Sequence, residues 1–329
     1  MNTELITHFT EEKRKTWTSF LQRAGLMADN EVEQTVLVWD EGTLIACGSR
    51  QGNLLKCIAV DSSRQGEGLT ATLLTALRQE AFQAGYRHLF LYTKPENRAM
   101  FASLFFYPIA ETSTVLLMEN RKDGIKEFLS SLPPAVTSGT VGSIVMNCNP
   151  FTLGHQYLIE TAAGECDHLY VFVLSEDKSR FSADDRLEMV KLGCTHLENV
   201  TVLPTGPYLI SSATFPTYFL KERDLAGQIQ CLLDIEIFKT YYAPRFSITC
   251  RYVGTEPLSP MTAQYNEALK EHLPLSGITL KELPRLSQEG APISASAVRA
   301  LMDEGNYAAI TRLLPKTTLD YLKTKGLLN

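Results

Sequence analysis

The sequence predicts an α/β protein in which a doubly wound parallel sheet fills the C-terminal part and a mixed α/β domain precedes it. Three observations carry this prediction. From Val141 onward, short apolar runs alternate with helical patterns, as a parallel sheet covered on both faces requires. Before that point the order is mixed, and a turn-rich stretch, Leu132-Pro133-Pro134 followed by Thr137-Ser138-Gly139-Thr140, separates the two patterns. At 329 residues, two domains are the natural expectation. We therefore divide the chain into residues 1–132, a linker at 133–140, and residues 141–329.

The first part reads as a helix over Glu12–Ala24 and strands over Thr35–Trp39, Leu44–Arg50 and Leu55–Val60. A loop, Arg64-Gln65-Gly66-Glu67-Gly68-Leu69-Thr70, runs into an apolar helix over Ala71–Ala84. A strand over Tyr86–Tyr92 and a helix over Asn97–Phe105 follow. In the second part, strands fall at Val141–Asn147, His168–Leu174, Val200–Leu203, Ser247–Val253 and Ile278–Leu283. Helices fall at Leu153–Ala163, Ala183–Thr195, Gly227–Tyr241, Thr262–His272, Ala295–Glu304 and Tyr307–Leu313.

Two segments carry chemistry. The run Val141 to Met146 breaks into Asn149-Pro150-Phe151-Thr152-Leu153-Gly154-His155, where the Asn-Pro dipeptide turns the chain from a strand into a helix start. A helix N-terminus presents free N–H groups and the positive end of its dipole, so it is an anion site. Thr152 and His155 share one face of the first turn, where both can donate to phosphate oxygens, and Gly154 lets a nucleotide lie against the backbone. Far downstream, Ile293-Ser294-Ala295-Ser296-Ala297-Val298-Arg299 opens another helix. Ser294 is a natural N-cap there, while Ser296 and Arg299 share a face, with the Arg fork suited to β- and γ-phosphates.

Composition excludes several classes. Hydrophobic content of 44% and charged content of 21% are those of a globular protein. A net charge of −6 argues against an electrostatic nucleic-acid binder. Seven Cys without a C-x-x-C fit free thiols in a reducing compartment, and we expect a cytoplasmic protein with no signal segment and no membrane span. We expect no protein metal site, since His8, His88, His168, His196 and His272 lack ligand spacing.

Other residues fall near the carboxyl edge of the sheet. Lys178 and Arg180 leave the second strand and can reach phosphate; Ser182-x-x-Asp185 caps the next helix; Gly254, in Val253-Gly254-Thr255-Glu256-Pro257, permits close approach to a nucleotide. Arg186 resembles the basic residue at this place in related adenylyltransferases, with a solvated helix charge as the alternative. The segment Thr214 to Phe219 is a candidate for the second-substrate loop, with ordinary loop packing as the alternative.

The two motifs resemble the "T/H-x-G-H" and "I-S-x-S-x-x-R" signatures of the HIGH-type nucleotidyltransferase superfamily. That resemblance implies a Rossmann-like sheet and attack on the α-phosphate of a nucleoside triphosphate. It assigns catalysis to Thr152, His155 and Arg299, and nucleotide binding to Asn149, Phe151, Gly154, Lys178, Gly254, Ser294 and Ser296. The first part resembles the GNAT acetyltransferase fold, whose "Q/R-x-x-G-x-G/A" loop grips coenzyme A. Gln65, Gly66, Gly68 and Thr70 stand there as the candidate arm-binding residues, with Thr70 bulkier than the usual Gly or Ala. The combination resembles the citrate lyase ligase family over essentially the whole chain. It implies ATP with Mg²⁺, acetate activated as acetyl-adenylate, and transfer to the thiol of a dephospho-coenzyme-A-derived group on the acyl carrier subunit of citrate lyase. The rival readings are a cofactor adenylyltransferase of the phosphopantetheine or nicotinamide mononucleotide kind, and a GNAT acetyltransferase with a regulatory second half.

Overall fold

The computed structural model describes all residues except 30, 137, 178, 210–230, 258, 289 and 329. Among the described residues two compact units emerge, the first built on Met1–Gly124 and the second on 125–209 and 234–328. The break falls at Gly124, ahead of the proline pair. The short helix Gly124–Ser131 goes with the second unit, because Arg245 donates to the carbonyls of Leu129, Leu132 and Pro133.

The first unit is a seven-stranded sheet with strands β1 (Asn2–Ile6), β2 (Gln34–Asp40), β3 (Thr43–Gln51), β4 (Leu54–Val60), β5 (Phe90–Thr93), β6 (Tyr107–Glu111) and β7 (Leu116–Glu119). Their order is β1-β2-β3-β4-β5-β7-β6, and only β4 and β5 run parallel. Helix α1 (Glu11–Arg23) covers one face and α2 (Leu69–Gln83) the other; α3 (Arg98–Ser103) follows β5, and the helix Gly124–Ser131 is α4. Along β2, Val36 and Val38 join the core with Leu73 and Leu77, while Leu37 points the opposite way to Trp17 and Phe20. Period-2 alternation between two apolar faces explains why this strand reads as an unbroken hydrophobic run. The sequence reading missed β1, β6 and β7; all are short, and Pro108 weakens the strand signal in β6.

In β4, Cys57 adopts φ 53° where the ladder with β3 shifts register, a bulge that bends the strand. Among the described residues β4 pairs with β5 only at Leu54↔Phe90 and Leu55↔Leu91. Beyond that point Ile58 to Val60 and Tyr92 to Lys94 line a cavity of about 650 Å³, with Gln65, Gly66, Gly68 and Thr70 at the start of α2.

The second unit is a five-stranded, wholly parallel sheet of β8 (Val141–Met146), β9 (His168–Val173), β10 (Val200–Pro204), β11 (Cys250–Gly254) and β12 (Thr279–Leu283). Its order, β10-β9-β8-β11-β12, reverses direction between β8 and β11. The crevice above the carboxyl ends of those two strands is where doubly wound sheets bind ligands. Helix α5 (Leu153–Ala163) has the bounds the sequence predicts. It packs with α6 (Ala183–Gly193), α8 (Ala295–Asp303) and α9 (Lys316–Thr324, absent from the sequence reading) around Ile159, Val190, Val298 and Leu322. Helix α7 (Pro260–His272) starts two residues earlier than expected, with Ser259 accepting from the Thr262 N–H as N-cap. Among the described residues no helix is long and apolar enough to cross a membrane.

Gly193 tests this packing. A Cβ there would stand 2.2 Å from Cε1 of the fully buried Phe151. Gly193→Ala is therefore expected to cost about 1–3 kcal/mol by overpacking. A denaturation midpoint equal to that of the parent protein would show that α6 and the Asn149–His155 turn are not in this contact.

Candidate active site

The crevice between β8 and β11 opens into a cavity of about 770 Å³ whose lining includes Asn149, Thr152, Gly154, His155, Ser294, Ser296 and Arg299. The two motifs, far apart in sequence, therefore meet. Thr152 is the N-cap of α5 and closes a capping box with His155. The Thr152 N–H donates to His155 Nδ1 at 3.0 Å, and Thr152 Oγ1 lies 2.9 Å from the same nitrogen. Since a backbone N–H only donates, Nδ1 is the unprotonated nitrogen and the ring carries its hydrogen on Nε2. Burial pushes the His155 pKa down to about 4, with nearby Arg285 adding to the effect, so the ring is neutral at pH 7.

This changes the part played by Thr152. Its side chain is 1% exposed, and its hydroxyl is spent on the ring and on the His155 N–H. Thr152 positions His155 and does not reach outward. Gly154 also differs from expectation. A Cβ there would meet the Ile293 carbonyl at 3.2 Å, so the missing side chain lets the second motif approach the first. The Leu153 N–H donates to the Leu313 carbonyl, whereas among the described residues the Gly154 N–H has no partner.

The second motif begins as predicted, with Ser294 Oγ capping the Ala297 N–H at 3.1 Å. The N–H groups of Ala295 and Ser296 have no partner among the described residues, and both residues line the cavity. Arg299 donates to the Asn149 carbonyl at 2.6 Å and to Ser296 Oγ at 3.1 Å, which ties α8 to the first turn. Asn149 is itself buried, its Oδ1 accepting from the Phe181 N–H. Phe151, expected at the nucleotide, is 0% exposed and is not among the cavity residues; its ring serves the core against Gly193. Gly254 lines the cavity, but a Cβ there would meet only Arg285 at 3.7 Å, an ordinary contact. Lys178 and the 214–219 loop lie outside the described residues.

Arg186 is not a solvated helix charge. It is 0% exposed and donates to the carbonyls of Asn147, Leu174, Glu176 and Phe181 and to Asn147 Oδ1. Arg180 pairs with Asp303 on α8. The sequence reading passed over Arg285, which lines the cavity, pairs with the nearly buried Glu256 and donates to the Thr255 carbonyl at 2.7 Å. Its one sequence signal is its place just after a strand's carboxyl end, in Leu283-Pro284-Arg285. Among the described residues no group of three or more His, Cys, Asp or Glu could hold a metal ion.

A doubly wound sheet with a neutral His donor and two open helix N-termini at its switch point defines a nucleotidyltransferase-type centre. The family model described as citrate lyase ligase C-terminal domain matches residues 141–322, and that of the acetyltransferase (GNAT) family matches residues 2–104. The chain is 42% identical over 316 residues to citrate pro-3S-lyase ligase of Klebsiella pneumoniae, covering 94% of this chain and 92% of that protein. The same-named protein of Escherichia coli strain K12 is 42% identical over 311 residues, covering 92% and 88% of the two chains. That of Haemophilus influenzae is 38% identical over 326 residues, covering 96% and 97%. The chain belongs to the citrate lyase ligase family.

A folded-state pKa below the ordinary 6.5 means that protonating His155 opposes folding. Its stabilising contribution is complete above pH 6.5 and is lost as the pH falls toward about 4. Imidazole NMR should therefore show the Nε2–H tautomer unchanged from pH 7 to about 5. In Arg285→Gln the midpoint should rise, since one of the two causes is gone. A parent midpoint near 6.5 would contradict this geometry.

Proposed function

We propose that the protein is an ATP-dependent acid–thiol ligase that activates acetate and acetylates the thiol of a carrier-bound, dephospho-coenzyme-A-derived group of citrate lyase. The observation that carries this is the meeting of the neutral Nε2–H of His155 with the open N–H groups of Gly154, Ala295 and Ser296 in one cavity. These fixed dipoles suit a triphosphate and the charge that develops on its α-phosphate during displacement. In the first step an acetate oxygen attacks the α-phosphorus and the bond to pyrophosphate breaks, giving acetyl-adenylate. In the second, the carrier thiol loses its proton, sulfur attacks the acetyl carbon, and AMP leaves. The relatives' printed name, a ligase of citrate lyase, supports this acceptor over the cofactor adenylyltransferase.

Mg²⁺ would be held through phosphate oxygens and water, because the cavity carboxylate of Glu256 is already paired with Arg285. When bound it neutralises charge on the leaving pyrophosphate. Within the chain, His155, Gly154 and the start of α8 hold the phosphates, Thr152 fixes the imidazole, and Arg299 fixes α8 against the turn. The seven cysteines are free, which supports action in the reducing cytoplasm.

The first unit we assign to the pantetheine arm of the acceptor. Gly66 and Gly68 adopt φ 89° and 75°, and no side chain caps the start of α2, which leaves N–H groups there for a phosphate. Thr70 turns its hydroxyl toward Met100 Sδ at 3.8 Å. This supports a loop that accepts the extra bulk.

Two outcomes test the division of labour. The full-length protein should exchange pyrophosphate into ATP only when acetate is present, and His155→Ala should slow this by roughly 10²–10³, the scale for one lost oxyanion donor. Exchange that ignores acetate, or a normal rate in that variant, would sink the adenylation reading. Gly68→Val, which forces a side chain onto left-handed backbone, should leave the exchange intact and slow acetylation of the carrier thiol. Equal losses in both reactions would remove the first unit from the second step.

A further inference from the structure

Among its described residues the second unit buries two arginines, Arg186 and Arg251, and they are bonded differently. All three guanidinium nitrogens of Arg186 donate to protein oxygens. Arg251, the second residue of β11, is 2% exposed, yet among the described residues its Nε and Nη1 have no partner. Only Nη2 is engaged, donating to the Tyr265 hydroxyl at 3.0 Å, and that hydroxyl donates in turn to Asp234. The guanidinium lies 4.3 Å from the centre of the Phe238 ring and 5.8 Å from that of Tyr265. Among the described residues no carboxylate forms an ion pair with it.

A buried cation with unmet donors and no directly paired carboxylate among the described residues, Asp234 being reached only through the Tyr265 hydroxyl, is unfavourable for the folded protein alone. It is expected where a ligand brings the missing anion. Arg251 lines the same cavity as His155 and Gly154, on the β11 side with Tyr265 and Asn266, while the phosphate donors belong to the starts of α5 and α8. The cavity therefore offers a second anion position with different chemistry: a charged planar fork held between two rings instead of a row of backbone dipoles. Nη2 carries two hydrogens and Tyr265 takes one of them. Whichever it takes, either the Nη1/Nη2 edge or the Nε/Nη2 edge stays open, and each can grip a carboxylate at two points.

We propose that Arg251 binds the carboxylate of the short monocarboxylic acid that is activated, making it a substrate-binding residue of the first step. The proposal rests on the acid-activation reading above. Phe238 and Tyr265 fix the plane of the guanidinium, and Asp234 orients Tyr265 as a positioning residue. The acid would be held by its charged end, with its carboxylate presented to the α-phosphate beside His155.

The test is acetate-dependent exchange of pyrophosphate into Mg²⁺–ATP by full-length Arg251→Met and Arg251→Lys, with KM measured for acetate and for ATP separately. The Met variant should raise KM for acetate on the order of 10²-fold, the scale for truncating one partner of a buried charge pair. The Lys variant should raise it less, since it keeps the charge and loses the fork. KM for ATP should stay unchanged in both, a split that a merely structural role would not produce. If the Met variant fails to fold, the Lys variant carries the comparison. An unchanged KM for acetate, or a parallel rise in both constants, overturns the assignment while leaving acid activation standing. Parent protein that shows no exchange with any short acid overturns both.

Discussion

The buried guanidinium of Arg186 is the interaction on which the active edge depends. In a parallel sheet, the chain leaving each strand at its carboxyl end turns away and strands its carbonyls. Here those of Asn147 after β8, Leu174 after β9, and Glu176 and Phe181 in the following loop all converge on one side chain. Leaving each such acceptor orphaned costs about 1–3 kcal/mol, so the arginine fork repays its own desolvation by satisfying several at once. With those loops pinned, Asn149 is fixed through the Phe181 N–H, and its carbonyl receives Arg299. Two motifs separated along the chain thus share a rigid joint, closed where Gly154 meets Ile293.

That joint gathers neutral donors in one cavity. The capping box aims Nδ1 of His155 inward at the Thr152 N–H, which leaves Nε2–H as the outward group. Burial then keeps the ring from ionising. A neutral donor held by its own helix start needs little rearrangement when charge appears on phosphate. Two of the cations nearby are partnered, Arg299 by a carbonyl and Arg285 by Glu256, and they hold the walls of the cavity.

Local chemistry was readable in the sequence because it is set by residues close in the chain. The spacing of Thr152 and His155, the Ser294 cap, the bounds of α5 and the strands around them come from turn and helix preferences acting over a few residues. The facing of side chains was not readable, since it depends on partners far away. Arg186 comes directly after Asp184 and Asp185 in a helix start and so resembles a solvated charge; only the fold reveals that its stem points into the sheet edge. Phe151 belongs to the motif by position and to the core by contact with Gly193. The first unit shows the same limit: α2 and its glycine loop are local, while the parting of β4 from β5 that opens the cavity is a property of the assembled sheet.

Arg186 and Arg251 make the sharper comparison. Both are nearly inaccessible and both belong to the same unit, so burial alone says nothing about which is structural. What differs is what remains unbonded. Arg186 spends its nitrogens on carbonyls that the fold itself strands, so the protein is complete there. Arg251 sits between two rings with a single hydrogen bond, and its Nε and Nη1 meet no acceptor among the described residues. The deficit lies in the wall of the cavity that holds His155, where an incoming carboxylate meets the need that the protein leaves open.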